Sequence, residues 1–340
     1  MKLSEPGVPP LALIQLLNSD ALDPGAVAHF RRLISHQGIS ESDLVHGDRQ
    51  VPISWFREVY PDLDHEAATM LGLAFADQAQ LTSFGPLSLP LVSAGSVAEV
   101  FELLRFLPII SGALRPQFHQ GRLSLTVGLT GHTGDDTLDC LVISYGGAAL
   151  LRLLDVLTGG LPDVRLHVSW EPPRVPREGA DLLGGRLIFA AHASFIDVPL
   201  ETLQTPCQFP DPVAYRLAIT ELRRTLERRS SAVSFTESVR RLLEEENPGR
   251  GSSHNVAARL GISASTLKRR LGDEGTTFRN VRQSLLRERA IVRLLDQSLT
   301  TSQIAKDLGY SDTANFSHAF KRWTGQSPSA FRQAGRRQPG

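Results

Sequence analysis

TTSQIAKDLGYSDTANFSHAFKRWTGQSPSAFR, residues 300–332, reads as a helix, a tight turn and a second helix. The Thr300 hydroxyl is placed to accept from the Gln303 backbone N–H, and the Gln303 amide to reach back, so this start fits a capping box. Ile304, Ala305 and Leu308 fall on one helical face. Gly309 follows the last apolar position, where a left-handed residue ends a helix at low steric cost. Ser311 or Asp312 restarts a helix, with Phe316, Ala319, Phe320 and Trp323 as its inward stripe. Gly325 stops it, and Ser327-Pro328 opens a last short helix ending near Phe331-Arg332.

The second helix therefore has two faces. Its aromatic stripe anchors it, while Thr313, Ala314, Ser317 and His318 point outward. Such a helix is narrow enough for the major groove of DNA, with its early residues at base edges. Thr313, Ser317 and His318 are the candidate base contacts. Lys321 and Arg322 suit phosphate, and Asn315 either caps the helix or touches phosphate.

The plan recurs in residues 253–278, SHNVAARLGISASTLKRRLGDEGTTF. Val256, Ala257 and Leu260 correspond to Ile304, Ala305 and Leu308, and Gly261 to Gly309. Leu267 and Leu271 correspond to Phe316 and Phe320, also four apart. A repeat of this kind means two similar supersecondary units. Here Ser265, Lys268 and Arg269 are the outward candidates for base contact, Arg269 foremost because its fork matches guanine; Arg270 suits phosphate. A helical run over residues 278–297 separates the units. About twenty residues at about 1.5 Å each span roughly 30 Å, close to the roughly 34 Å between successive major grooves on one DNA face.

These paired motifs, IAKDLGYSDTANFSHAFKRWTGQSPSAFR above all, resemble the DNA-binding domain of the AraC/XylS family of bacterial transcription regulators. The resemblance covers about the last hundred residues. His318 stands where many members carry arginine. The LKRRLGDEGTTF segment is one residue shorter than the commonest form, as in the subgroup typified by ornithine-responsive and VirS-like regulators.

Charge is distributed to match. The net charge of the 340 residues is zero, but residues 247–340 carry 16 Lys+Arg against 6 Asp+Glu. The remainder is correspondingly acidic. A basic C-terminal part on an acidic body places nucleic-acid contact at one end. Cys140 and Cys207 have no metal or redox spacing and read as buried or half-buried free thiols. The scattered histidines form no metal pair. No apolar run reaches the roughly 20 residues of a membrane helix, and the polar, proline-rich start is not a signal peptide. The expected location is the cytoplasm, without membrane contact.

Residues 10–80 read as mainly helical, with helices over 24–35, 52–60 and 64–79. Ser96 is placed to cap a helix bearing Val97, Val100, Phe101 and Leu104. Alternation predicts strands at 122–129 and 164–170, and strand–turn–strand over 187–195, with residues 197–200 leading out. Residues 139–145 read as strand or helix start, followed by a buried helix over 146–157. FGPLSLPLVSAGSVAEVFELLRF, VRLHVSW and DVPL carry a weaker resemblance to the arabinose-binding-like domain of the same subgroup. That resemblance implies sensing or dimerisation and names no ligand.

The expected fold is an α+β sensory or dimerisation domain (10–208), a helical linker (209–232) and an all-α DNA-binding domain with two helix-turn-helix motifs (233–334). A hinge is expected at 229–234, and Leu217, Ile219, Leu222 and Leu226 are the apolar face of the linker. The expected function is a sequence-specific transcriptional regulator, by resemblance an activator, acting on promoter DNA. Its expected partners are RNA polymerase, a small-molecule effector and a second copy of the chain; no cofactor is expected. An architectural DNA-binding protein is the alternative. An enzyme fused to a DNA-binding domain is less favoured, because GxSxG, GxxxxGK[ST], HExxH and paired CxxC motifs are missing.

Overall fold

The computed structural model describes residues 6–46, 50–174, 183–230, 234–245 and 251–335. The expected hinge at 229–234 lies partly outside the described residues. The N-terminal part opens with helices at Pro10–Leu17, Pro24–His36, Ser54–Val59 and His65–Asp77, as the periodicity predicts. Asp23 and Asp64 cap two of them by accepting from backbone N–H groups.

Strands β1 (Gly7–Val8) and β2 (Val51–Pro52) form a small antiparallel pair. The main sheet holds β3 (Leu114–Gln120), β4 (Ser124–Gly131), β5 (Arg165–His167), β6 (Leu187–Ile188) and β7 (Phe195–Pro199), in the order β3-β4-β7-β5-β6. Among the described strands only β5 and β6 run parallel. Several local expectations change. Strand β3 goes unread in the sequence. Residues 197–199 lie inside β7 rather than leading out of it. The ambiguous 139–145 stretch is helical, part of a central helix Asp136–Thr158. Ser96 occupies the N-cap position without a side-chain bond; Glu99 instead accepts from the Gly95 N–H at 2.7 Å.

The central helix packs on the sheet and along His65–Asp77. A Cβ at Gly72 would lie 2.7 Å from Leu141 O, so only glycine permits this approach. By length and composition the central helix would pass for a membrane span, against the expectation of no such run; 72% of its apolar window is buried in the protein core. Cys140 and Cys207 are buried and free, and burial pushes the Cys140 thiol up to about 12. On the helix Pro212–Ser230, Ile219 and Leu222 face the core, but Leu217 is 67% exposed.

The C-terminal part has two separate cores. The first joins the helix Phe235–Glu245 to the first helix-turn-helix through Val239, Leu243, Val256, Leu267 and Leu271. The second gathers Ile304, Leu308, Phe316, Phe320 and Phe331. The strut helix Phe278–Leu295 serves both. It gives Val281 and Leu285 to the first core, and Leu286, Ala290 and Leu294 to the second. Its 18 residues span about 27 Å.

A further face of the strut meets the β3–β4 hairpin. A Cβ at Gly128 would run into the Val292 side chain, so a larger residue would force sheet and helix apart where they touch. His119 Nε2 lies 2.9 Å from Asp296 Oδ2, and Arg115 pairs with Glu237. At the centre Arg240 and Glu288 form a buried ion pair beside His132, whose Nε2 is 3.8 Å from Glu288 Oε1, too far for a hydrogen bond.

Candidate nucleic-acid interface

The first recognition helix, Ala264–Asp273, starts where Ser263 Oγ accepts from Thr266 N at 3.1 Å. The preceding Gly261 has φ 67°, a conformation costly for other residues, and it turns the chain between the two helices. Leu267 and Leu271 are buried, which forces the rest of the helix outward. Ser265, Lys268, Arg269 and Arg270 are all exposed. The Arg270 guanidinium stacks 4.1 Å from the Phe235 ring centroid, a contact that holds it beside the helix Phe235–Glu245. Ser265, Lys268 and Arg269 are thus the polar groups most freely presented.

Glu274, which the sequence reading did not single out, ties this helix in place. Its two carboxylate oxygens accept from the Phe235 and Thr236 N–H groups, each at 2.7 Å. Partial burial would raise its pKa, but those bonds to a helix N-terminus hold the carboxyl below the usual range. The signal in the sequence was only a Glu just past a helix; its partners lie about forty residues earlier.

The second recognition helix, Thr313–Thr324, is built as its sequence predicts. Thr300 and Gln303 form the capping box on the supporting helix Thr301–Asp307, and Gly309 turns the chain at φ 79°. Asp312, not Ser311, is the cap, with Oδ1 2.7 Å from Asn315 N. That backbone bond, with the Ser311 hydroxyl and the Asn315 amide, holds the Asp312 carboxyl below the usual range. Phe316, Phe320 and Phe331 pack edge-on or tilted at 5.5–6.0 Å, and Tyr310 closes on Phe316 at 5.6 Å. Trp323 is half-buried at the end of this stripe.

His318, Asn315, Lys321 and Arg322 are exposed, while Thr313 and Ser317 are half-buried. Ser317 Oγ donates to Thr313 O at 2.8 Å, which leaves its lone pairs as acceptors. The Asn315 amide donates to Asp312 Oδ2 at 2.6 Å and to Ser311 Oγ at 3.2 Å, so here it braces the cap. The six candidate base contacts therefore divide into two triplets, one on each recognition helix, joined by the strut. Among the described residues no group of three or more His, Cys, Asp or Glu side chains is placed to hold a metal ion.

Comparison with known proteins identifies the family. Residues 28–207 match the model of the arabinose-binding domain of AraC transcription regulators, and residues 256–334 match a helix-turn-helix domain model. The HTH-type transcriptional regulator VqsM of Pseudomonas aeruginosa is 27% identical over 77% of this chain and 83% of its own length. The ornithine utilization regulator of the same organism is 31% identical over 51% of each chain. The crystal structure of the transcriptional regulator CdpR from Pseudomonas aeruginosa aligns over 93% of this chain and 100% of its own, at 23% identity and a TM-score of 0.41.

Proposed function

The chain belongs to the AraC family of transcription regulators and is a DNA-binding regulator, and from that premise we propose that its two recognition helices read adjacent major grooves of one promoter site. The observation that carries this reading is the pair of independent cores on a single strut, each presenting a helix whose outer residues are free of core contacts. Ser265, Lys268 and Arg269 read one half-site, and Thr313, Ser317 and His318 the other. Lys321, Arg322 and Arg270 contact phosphate, the last after leaving its stack on Phe235; Asn315 contacts phosphate while bracing the cap.

Selection of bound sequences from a random pool tests this. Two enriched blocks one helical turn apart, about 10–10.5 bp, are expected. A pool without enrichment would point to an architectural role. On the selected site Arg269→Ala should lose about 1–3 kcal/mol, and on random DNA much less. Equal losses on both would make Arg269 a phosphate contact.

A second measurement concerns charge. With about six to eight phosphates neutralised, log affinity should fall against log salt with a slope of about −5 to −7. A flat response in a fluorescence-anisotropy titration would remove the electrostatic basis of binding.

The remaining roles follow the same reading. Residues 10–208 form the effector and dimerisation domain, 209–232 the linker and 233–334 the DNA-binding domain. Val213 and Leu217, four apart on the linker helix, are 58% and 67% exposed, and nearby Phe209 is 62% exposed. This apolar stripe suits contact with a second copy. The protein acts in the cytoplasm as an activator that recruits RNA polymerase, without catalysis of its own.

A further inference from the structure

The N-terminal part contains a cavity of about 80 Å³ beneath the β3–β4 hairpin. Leu114 and Pro116 of β3 and Leu129 of β4 form one wall, and Tyr145 and Ala149 of the central helix another. A smaller cavity of about 30 Å³ adjoins it across Tyr145 and Val142, which line both. Among the described residues, no ionisable side chain except the Tyr145 phenol lines either space. The Ser111 hydroxyl already donates to Gly7 O at 3.0 Å. Tyr145 has no hydrogen bond among the described residues, and burial alone pushes its pKa above the usual phenol range.

We propose that this cavity is a binding site for a small, uncharged, mainly hydrocarbon molecule carrying one hydroxyl, of the size of a short-chain alcohol or a simple phenol. The proposal deepens the effector reading of this domain and rests on it. Size sets the upper limit: an apolar cavity of about 150 Å³ accommodates benzene, so these two spaces together hold a molecule of about that bulk only with slight movement of the Tyr145 and Val142 partition. Polarity sets the class. A sugar would bring several hydroxyls into a wall that offers one free partner, and each unpaired group is penalised. A carboxylate or amine would meet no opposite charge. The Tyr145 hydroxyl is the one group suited to recognise a single polar end.

The same wall explains how occupancy would reach DNA. Side chains alternate along a strand, and the pairing register puts Pro116 opposite Leu129 and Gln117 opposite Gly128. Leu114, Pro116 and Leu129 face the cavity. Arg115, His119 and Gly128, on the other face, meet Glu237, Asp296 and Val292 of the DNA-binding half. A molecule that displaces the hairpin moves the surface against which the strut rests. It thereby favours one arrangement of the two recognition helices over another.

Calorimetric titration of the full chain with phenol and with 1-butanol, without DNA, tests the site. One-to-one saturable binding is expected for at least one of them, and none for D-arabinose. Ala149→Leu, which fills the cavity from the central helix, should weaken binding at least ten-fold with its circular dichroism unchanged. Tyr145→Phe should weaken phenol about five-fold while leaving toluene unaffected; it keeps the test decisive if the leucine variant misfolds. Absence of saturable binding of both probes to the wild-type chain, equal binding by Ala149→Leu, or binding of D-arabinose at this site would overturn the proposal. Because these readings contain no DNA, they fail independently of the operator-selection experiment.

Discussion

Glu288→Ala is expected to destabilise the strut by about 3–5 kcal/mol, the loss typical when one partner of a buried ion pair is removed. The Arg240 and Glu288 side chains are only 4% and 3% exposed. Arg240 bonds Glu288 through both terminal nitrogens, one at 3.2 Å from Oε1. Ser284 Oγ adds a bond to Oε1 at 2.9 Å. Without Glu288, the ion pair left to Arg240 among the described residues is with Glu244, at 3.0 Å and 36% exposed, and its charge stays buried. The pair itself is a different matter. Arg240→Met with Glu288→Leu replaces both charges with apolar bulk and should recover most of the loss, because the desolvation penalty disappears with the attraction. Hydrogen exchange of the strut amides at pH 7 measures both variants. A loss below about 1 kcal/mol in Glu288→Ala would mean that water reaches the site and the pair is not buried.

The same cluster fixes a pH dependence. Burial would raise the Glu288 pKa, but the paired Arg240 guanidinium outweighs it and holds the carboxyl at about 2. Its folded value lies below its unfolded one, so its stabilisation is complete above the ordinary glutamate pKa and is lost as pH falls from there towards 2. His132 is held below its usual value chiefly by burial, with Arg115 and Arg240 adding repulsion. The unfolded chain therefore takes up this proton first, and stability also declines as pH falls through the ordinary histidine range. Both effects have the same sign, so mild acid should loosen the contact between hairpin and strut. His132→Gln should flatten the upper part of that curve.

The helix-turn-helix pair was legible because its signals are local. Thr300, Gln303, Gly309 and the stripe Phe316, Phe320, Trp323 all lie within one or two turns of what they cap, end or anchor. The sheet was legible only in part. Strand β3 carries Pro116, which argues against a strand, yet β3 is the edge of its sheet and an edge tolerates a missing donor. Strands β5 and β6 fall inside the stretches read as strand, 164–170 and 187–195, but are only three and two residues long, so their ends were not legible. Glu288 was hidden for another reason. It stands between Arg287 and Arg289 in a basic helix, where charge ordinarily faces water, and its partner lies 48 residues earlier. One clue was available: Glu288 follows Val281 and Leu285 on the helical face that turns inward. Arg269 and His318 were easier to place, since once the leucines and phenylalanines are assigned inward, little else remains for the outer face.

Phe320→Ala should separate the two halves of DNA recognition. Phe320 is fully buried and is packed between Phe316 and Phe331, with ring centroids 6.0 and 5.5 Å away. Truncating a buried phenylalanine costs about 3–5 kcal/mol, a large share of what so small a core can supply. The loss should stay local, because the first helix-turn-helix has its own core around Leu267 and Leu271 and shares only the strut. Hydrogen exchange should therefore rise in Thr313–Thr324 and change little in Ala264–Asp273. Loss of one of two linked binding modules lowers affinity by about 10²–10⁴, so binding to a two-part site should fall by at least about a hundred-fold. What remains should depend on the half-site read by Arg269 and be indifferent to scrambling of the other. If scrambling either half still weakened the variant equally, the two motifs would fold as one unit, and the division of labour drawn from the separate cores would be wrong.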